Sequence, residues 1–317
     1  MSDLITQNHH EDHLDRRGFL KCMAWAGTGV VFTVTGGVLG SRLLSAAEPA
    51  PGADFTFVQI SDSHIGFNKP ANPNVAATFR EAIARINAQA KAPDFLLHTG
   101  DLTHLSEASE FDDLQHMLQD CKTRQVFYVP GEHDVLGDAG AQYRERFGKG
   151  TKGTGWYSFD TKGVHFIGLV NVATIKEGGF GVLGPEQLEW LKRDLAGLSK
   201  STPIVVFAHI PLWAIYPEWG WGTDDSAQAL ALLRPFGSVT VLNGHIHQAM
   251  QKIEGNITFH TARATAFPQP GPGQAPKAGP MLVPAEKLRT FLGVTSVSYR
   301  ETSHTLAIVD STLADHS

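Results

Sequence analysis

Five short polar segments stand out by residue type: Asp62-Ser63-His64, Gly100-Asp101, Gly131-Glu132-His133-Asp134, Ala208-His209 and Gly244-His245-Ile246-His247. Aspartate, glutamate and histidine are the donors that divalent metals of hard to borderline character take. A lone D-x-H or G-H-x-H arises often by chance. Here, however, each segment directly follows an apolar, β-branched-rich run, at 55–60, 95–97, 126–129, 204–207 and 239–242. Runs of that length and content read as buried strands. The donors therefore fall at strand ends, where open α/β sheets keep their ligand sites. Metal-assisted hydrolysis is the chemistry such a set could perform.

The elements that position these donors alternate along the chain. Val75, Phe79, Ile83 and Ile86 recur at helical spacing within 75–90, and Phe111, Leu114 and Leu118 mark a second helix. A third starts at Gly184-Pro185-Glu186, with Pro in its first turn, and a fourth covers 227–233. Segments 157–159 and 164–169 flank Thr161-Lys162-Gly163 and read as a hairpin. Beyond the last polar segment come short strands at 250–253, 257–261, 293–299 and 305–309, and 267–284 is a long Pro/Gly-rich loop. Strands and helices in this order predict an α/β fold with two facing sheets and helices outside.

The chain has 317 residues, enough for one sizeable domain, expected over 54–317. Its first part is read separately. Asp15-Arg16-Arg17-Gly18-Phe19-Leu20-Lys21 resembles a twin-arginine export motif, a mildly apolar Gly-rich stretch runs over 23–44, and Ser45-Ala46-Ala47 reads as a cleavage signal. Residues 1–47 are thus expected to be a signal peptide and 48–53 a linker. The implied partner is the twin-arginine export machinery, the destination the periplasm, and no stable membrane anchor remains once the signal is cut. The alternative is a membrane anchor, since the stretch nearly spans a bilayer. Residues 1–47 hold as many acidic as basic side chains, so the net charge stays at −6 after their removal. That balance argues against nucleic acid as a bulk partner. Cys121 is then the sole cysteine, without a disulfide partner, and reads as a small buried apolar residue.

The ordered segments resemble the calcineurin-like metallophosphoesterase signature, D-x-H, G-D, G-N-H-[D/E], H and G-H-x-H, from about Asp54 to beyond His247. One position departs: Glu132 stands where that family has Asn. Their spacing is most similar to the branch of bacterial cyclic-nucleotide and glycerophosphodiester phosphodiesterases. Protein phosphatases fit less well, because no Arg follows in Gly100-Asp101-Leu102-Thr103-His104-Leu105-Ser106. Purple acid phosphatases fit less well too, since His104 stands at their Tyr position. The resemblance implies a four-layer αββα sandwich and two metal ions, divalent or mixed-valence, of the iron, manganese or zinc class. It implies that Asp62, His64 and His247 hold the first, Glu132, His209 and His245 the second, and that Asp101 bridges. A hydroxide shared between the ions would attack phosphorus in line. His133 would donate a proton to the leaving group or stabilise charge on the phosphate, with Asp134 fixing its tautomer.

The expected function is hydrolysis of small-molecule phosphoesters, diesters preferred. The alternatives are a phosphomonoesterase such as a nucleotidase, or a metal-bearing binding protein without turnover, which the Glu132 replacement suggests. Trp213, Tyr216, Trp219 and Trp221 crowd the loop after His209, either as a wall against substrate or as loop packing. Arg263 reads as structural before it reads as a phosphate ligand. His98, His165, His260 and His304 read as satisfied polar residues.

Overall fold

Side-chain alternation along the strands decides which layer each residue enters. The computed structural model describes residues 31–35, 38–42, 54–176, 178–300 and 305–315. The twin-arginine motif, the cleavage signal, the linker and His304 lie outside the described residues. Strands β1 (Val31–Thr35) and β2 (Val38–Arg42) pair antiparallel as a separate two-stranded sheet. Among the described residues no helix is long and apolar enough to cross a membrane.

Along the chain follow β3 (Phe55–Ile60), α1 (Val75–Asn87), β4 (Phe95–His98), α2 (Ala108–Leu118), β5 (Val126–Tyr128) and α3 (Ala141–Phe147). Next come β6 (Tyr157–Thr161), β7 (Val164–Gly168), α4 (Pro185–Leu195), β8 (Ile204–Phe207), α5 (Ser226–Leu233) and β9 (Val239–Asn243). The last are β10 (Met250–Glu254), β11 (Ile257–Thr261), α6 (Leu288–Phe291), β12 (Gly293–Arg300) and β13 (Thr305–Thr312). The hydrophobic periodicity located the longer helices. It missed the short α3 and α6, whose burial is limited to Tyr143 and Leu288. With one buried residue each, they offer no 3.6-residue period to read.

One sheet has the order β13-β12-β3-β4-β5 and the other β10-β11-β9-β8-β7-β6. The strands β3, β4 and β5 run parallel, as do β7, β8, β9 and β11. The two sheets face each other across an aromatic layer in which Phe55, Phe57, Phe95 and Tyr299 of one meet Phe166 and Phe207 of the other. Phe57 stacks on Phe95 at 4.9 Å and meets Phe166 edge-on at 5.6 Å, arrangements that the ring quadrupole favours. The opposite faces of the same strands point outward. Val58, Ile60 and Leu96 pack under α1 and α2, and Val206, Val239 and Val241 under α4 and α5. Three apolar layers between four structural ones make the αββα sandwich. Buried Gln59 ties the sheets together, donating from Nε2 to the Asn243 carbonyl of the opposite sheet at 3.0 Å. The carboxyl ends of β3, β4, β5, β8 and β9 therefore open onto one place.

Candidate metal centre

Each strand ends in a sharp turn that aims a donor inward. Among the described residues, five of the eight non-glycine residues with positive φ are Asp62, His64, Asp101, His245 and His247. The left-handed region costs a residue with a Cβ about 1–2 kcal/mol, so the set together costs several kcal/mol, comparable with a domain's net stability. Packing of the two sheets must offset it, and such strain gathers at functional sites. Two glycines let the turns approach. A Cβ on Gly131 would strike the Asp101 backbone and carboxylate, and one on Gly244 would strike Ser61 and Asp62.

All seven expected metal ligands converge. Ligand atoms of Asp62, His64 and His247 lie within 4.8 Å of one another, and so do those of Glu132, His209 and His245. Asp101 Oδ2 is 3.4 Å from His64 Nε2 and 3.4 Å from His209 Nε2, between the two groups. Asp62 Oδ1 lies 3.3 Å from His247 Nε2, and its carboxylate accepts the His245 backbone N–H at 3.1 Å. Asp62, His64, Asp101, His209 and His247 are buried, whereas Glu132 and His245 are partly exposed, so the site opens on their side.

The distances alone do not decide between an ion-pair network and a cation cage. Hydrogen-bond alignment favours the cage. Glu132 Oε2 is 2.9 Å from His209 Nε2, and Glu132 Oε1 is 2.9 Å from His245 Nδ1. Yet Glu132 Oε2, His209 Nε2 and His245 Nδ1 are all buried without a hydrogen-bond partner. Buried polar atoms are nearly always satisfied. Three donors this close with no aligned hydrogen bond among them are arranged as the ligands of one ion would be. The residues present thus fit a metal.

Electrostatics agree. Burial disfavours a charged His64, and its neighbours His133 and His247 add to that, holding its pKa well below normal. It stays a neutral imidazole, the form that binds metal. Burial opposes charge on His209 as well, but Asp101 and Glu132 raise its pKa well above normal. The carboxylates that would retain a proton on Nε2 would retain a cation in its place. Burial likewise works to raise Glu132, and His245 and His209 hold it well below the carboxylate range.

Backbone carbonyls orient the rings. Nδ1 of His209 donates to Thr99 at 2.7 Å, and Nδ1 of His247 to Phe267. Phe267 also stacks against the His64 ring at 4.8 Å. Such outer partners fix which nitrogen faces the ion.

One expected contact is absent. His133 Nδ1 donates to the His104 carbonyl at 2.6 Å, so Asp134 does not fix its tautomer. The Asp134 carboxylate instead accepts from the N–H groups of Leu102 (3.0 Å), Thr103 (2.8 Å) and Gly131 (2.9 Å) and from Thr103 Oγ1 (2.8 Å). It locks the loop that carries Asp101 to the loop that carries Glu132. Burial first, and the Asp101 charge second, push its pKa up to about 7 against those donors. A cation at Asp101 would weaken the second push. The His133 ring, for its part, is disfavoured as a cation by burial, but Asp101 and Glu132 outweigh that and raise its pKa.

The calcineurin-like phosphoesterase profile matches residues 55–249. The chain belongs to this family. A 3',5'-cyclic-nucleotide phosphodiesterase of Nostoc sp. is 24% identical over 67% of this phosphoesterase and 79% of its own length. A probable cyclic nucleotide phosphodiesterase of Vesicomyosocius okutanii is 30% identical over 68% and 88%. A dimetal phosphatase of Danio rerio superposes with a TM-score of 0.59 at 15% identity, covering 81% of this chain and 99% of that one; at that identity the likeness concerns the fold. The calcineurin-like chain is accordingly a metal-dependent phosphoesterase. The orienting carbonyls of Thr99, His104 and Phe267 escaped sequence reasoning, because a backbone group leaves no residue-type signal.

The remaining candidates have structural partners. His98 pairs with Ser63 at 2.9 Å, His165 with Asp160 and Asp194, and His260 with Asp310. Arg263 donates to the Phe291 carbonyl at 3.3 Å. Trp219 packs edge-on between Tyr216 and Trp221, and Trp213 lies on Phe259, which accounts for the aromatic loop as packing. Cys121 is buried, which raises its pKa and keeps it inert.

Proposed function

We propose that this phosphoesterase is an exported enzyme that hydrolyses small-molecule phosphodiesters with two metal ions held side by side. The single observation that supports two ions is the place of Asp101 Oδ2, 3.4 Å from a histidine of each three-residue group. One carboxylate between two cages is what a two-ion clamp needs. Asp62, His64 and His247 would hold one ion, Glu132, His209 and His245 the other. Iron, manganese or zinc, divalent or mixed-valence, suits these donors. Bound there, the ions would lower the pKa of a water and neutralise phosphoryl oxygens.

The chain's own groups supply the rest. Asp101 Oδ1 accepts the His133 backbone N–H at 2.9 Å, which indexes that residue to the bridging carboxylate. With Nδ1–H committed to the His104 carbonyl, Nε2 is the nitrogen that gives a proton to the leaving alcohol. Diesters are preferred because the segment spacing resembles the phosphodiesterase branch and the relatives are named for cyclic nucleotides.

The test compares bis(p-nitrophenyl) phosphate, p-nitrophenyl phosphate and 3',5'-cyclic AMP on the metal-loaded chain. Diester turnover should dominate; faster monoester turnover would make it a phosphomonoesterase or nucleotidase, and no turnover with two metals bound would make it a binding protein. His133→Ala should keep its metal and lose about 10²–10⁴ in kcat. The loss should shrink for p-nitrophenolate leaving groups, and an equal loss for all would reduce His133 to holding the phosphate. For export, changing Arg16 and Arg17 to Lys should trap the precursor in the cytoplasm. A mature form outside the cytoplasm would remove the twin-arginine route.

A further inference from the structure

His64, His104 and His133 each bring a nitrogen within 4.8 Å of the others. His104 is the one to which neither the family signature nor the reading above gives a side-chain role. Its ring lies almost parallel to that of His133, with centroids 4.9 Å apart and an interplanar angle of 16°. Phe67 meets it edge-on at 5.1 Å and His64 at 5.6 Å. Three aromatic neighbours hold the ring in place beside the donor cluster.

The two stacked rings carry their protons on opposite ends. For His133, Nδ1 donates to the His104 carbonyl, so Nε2 of the neutral ring is a lone pair that takes up a proton, and the imidazolium so formed gives it from Nε2. For His104, Nδ1 is sealed from solvent without a partner, although the residue is only half-buried. A buried N–H without an acceptor is the costlier orphan, so the proton of the neutral ring sits on Nε2. Nε2 is not among the sealed atoms, and with the proton there it only donates.

We propose that His104 is a second substrate-binding imidazole, whose Nε2–H donates a hydrogen bond to a non-bridging phosphoryl oxygen while His133 serves the leaving group. The inference rests on the phosphoesterase reading above. A fixed neutral donor holds an anionic oxygen without giving up its proton, which separates binding from proton transfer between two adjacent rings.

The test uses His104→Phe in the metal-loaded full chain. Phenylalanine preserves the stack on His133 and the backbone carbonyl that holds its Nδ1, and removes both nitrogens. Three readouts are taken: metal content, the Kd of orthophosphate by calorimetry, and kcat/KM for bis(p-nitrophenyl) phosphate. Loss of a hydrogen bond to a charged oxygen should raise the phosphate Kd about 10–100-fold and lower kcat/KM by a similar factor. Metal content should not change. His104→Gln, which keeps an amide donor, should recover part of the phosphate affinity. A phosphate Kd within twofold of the parent chain's in His104→Phe would overturn the proposal. Metal loss in that variant would overturn it too, by making His104 an ion ligand. A parent chain that binds phosphate but hydrolyses no phosphoester sinks the enzymatic reading instead, and the calorimetric comparison still decides the role of His104.

Discussion

The smallest unit of function here is a carboxylate with two neighbours. Asp101 Oδ2 stands equally far from His64 and His209, and its charge is what two cations would share. Asp101→Asn should therefore lose most bound metal and nearly all hydrolysis, because a neutral amide cannot hold two dications together. Elemental analysis decides it: two metals per chain in an active variant would end the two-ion assignment. Glu132 raises a subtler point. It contacts His209 and His245 with its two oxygens at the position where the signature the sequence resembles has Asn, and it adds a full negative charge. More ligand charge tightens the ion and makes water there less acidic. Glu132→Asn should weaken metal affinity, retain turnover in excess metal, and move the acid limb of the pH–rate profile to lower pH. Unchanged affinity with an unchanged profile would mean that Glu132 is no ligand.

At the scale of elements, the two loops after β4 and β5 act as one piece because Asp134 ties them. Replacing it by Ala strands three backbone N–H groups and one hydroxyl in the interior. At about 1–3 kcal/mol for each unsatisfied group, the loss should be about 4 kcal/mol or more, with metal affinity falling in step as Asp101 and Glu132 lose their registration. Thermal unfolding of Asp134→Ala and Asp134→Asn checks this, the amide being the milder. An alanine variant as stable as the parent would refute the tie. The same loops show what could be read in advance. Strands β3 and β8 were legible to the residue, because their mostly apolar runs begin after Asp54 and Pro203 and stop within two residues of Asp62 and His209. Their donors were legible as types. The role of Asp134 was misread because a carboxylate beside a histidine in sequence suggests a pair, whereas the short helical turn Glu132–Asp134 turns the two side chains to different partners. Sequence adjacency does not carry side-chain direction.

At the scale of the whole molecule, pH acts on stability away from the site. His165 on β7 is buried, which disfavours its charge, but hydrogen bonds to Asp194 and Asp160 outweigh this and raise its pKa. A raised folded-state pKa means stability that is full below the unfolded value near 6.5 and fades as pH climbs through the folded one. Asp194→Asn should thus lower Tm most near pH 6, by several degrees if the charged bond is worth about 1.5–3 kcal/mol. The difference from the parent should narrow by pH 9, and an equal difference at both would show that the pair carries no charge. The order of strands has a consequence for synthesis. β3, at the centre of its sheet, pairs on one side with β4 and on the other with β12, so that Phe55 waits for Tyr299. That partner lies beyond the family-matched residues 55–249. About 240 residues must be translated first, roughly 10–50 s at 5–20 residues per second. For that interval the nascent chain holds out an unpaired edge rich in phenylalanine, which is the surface that aggregation and chaperones both recognise. Completion of this sheet therefore waits on β12, and stop codons before Gly293 should yield insoluble chains even though every metal ligand has already been made.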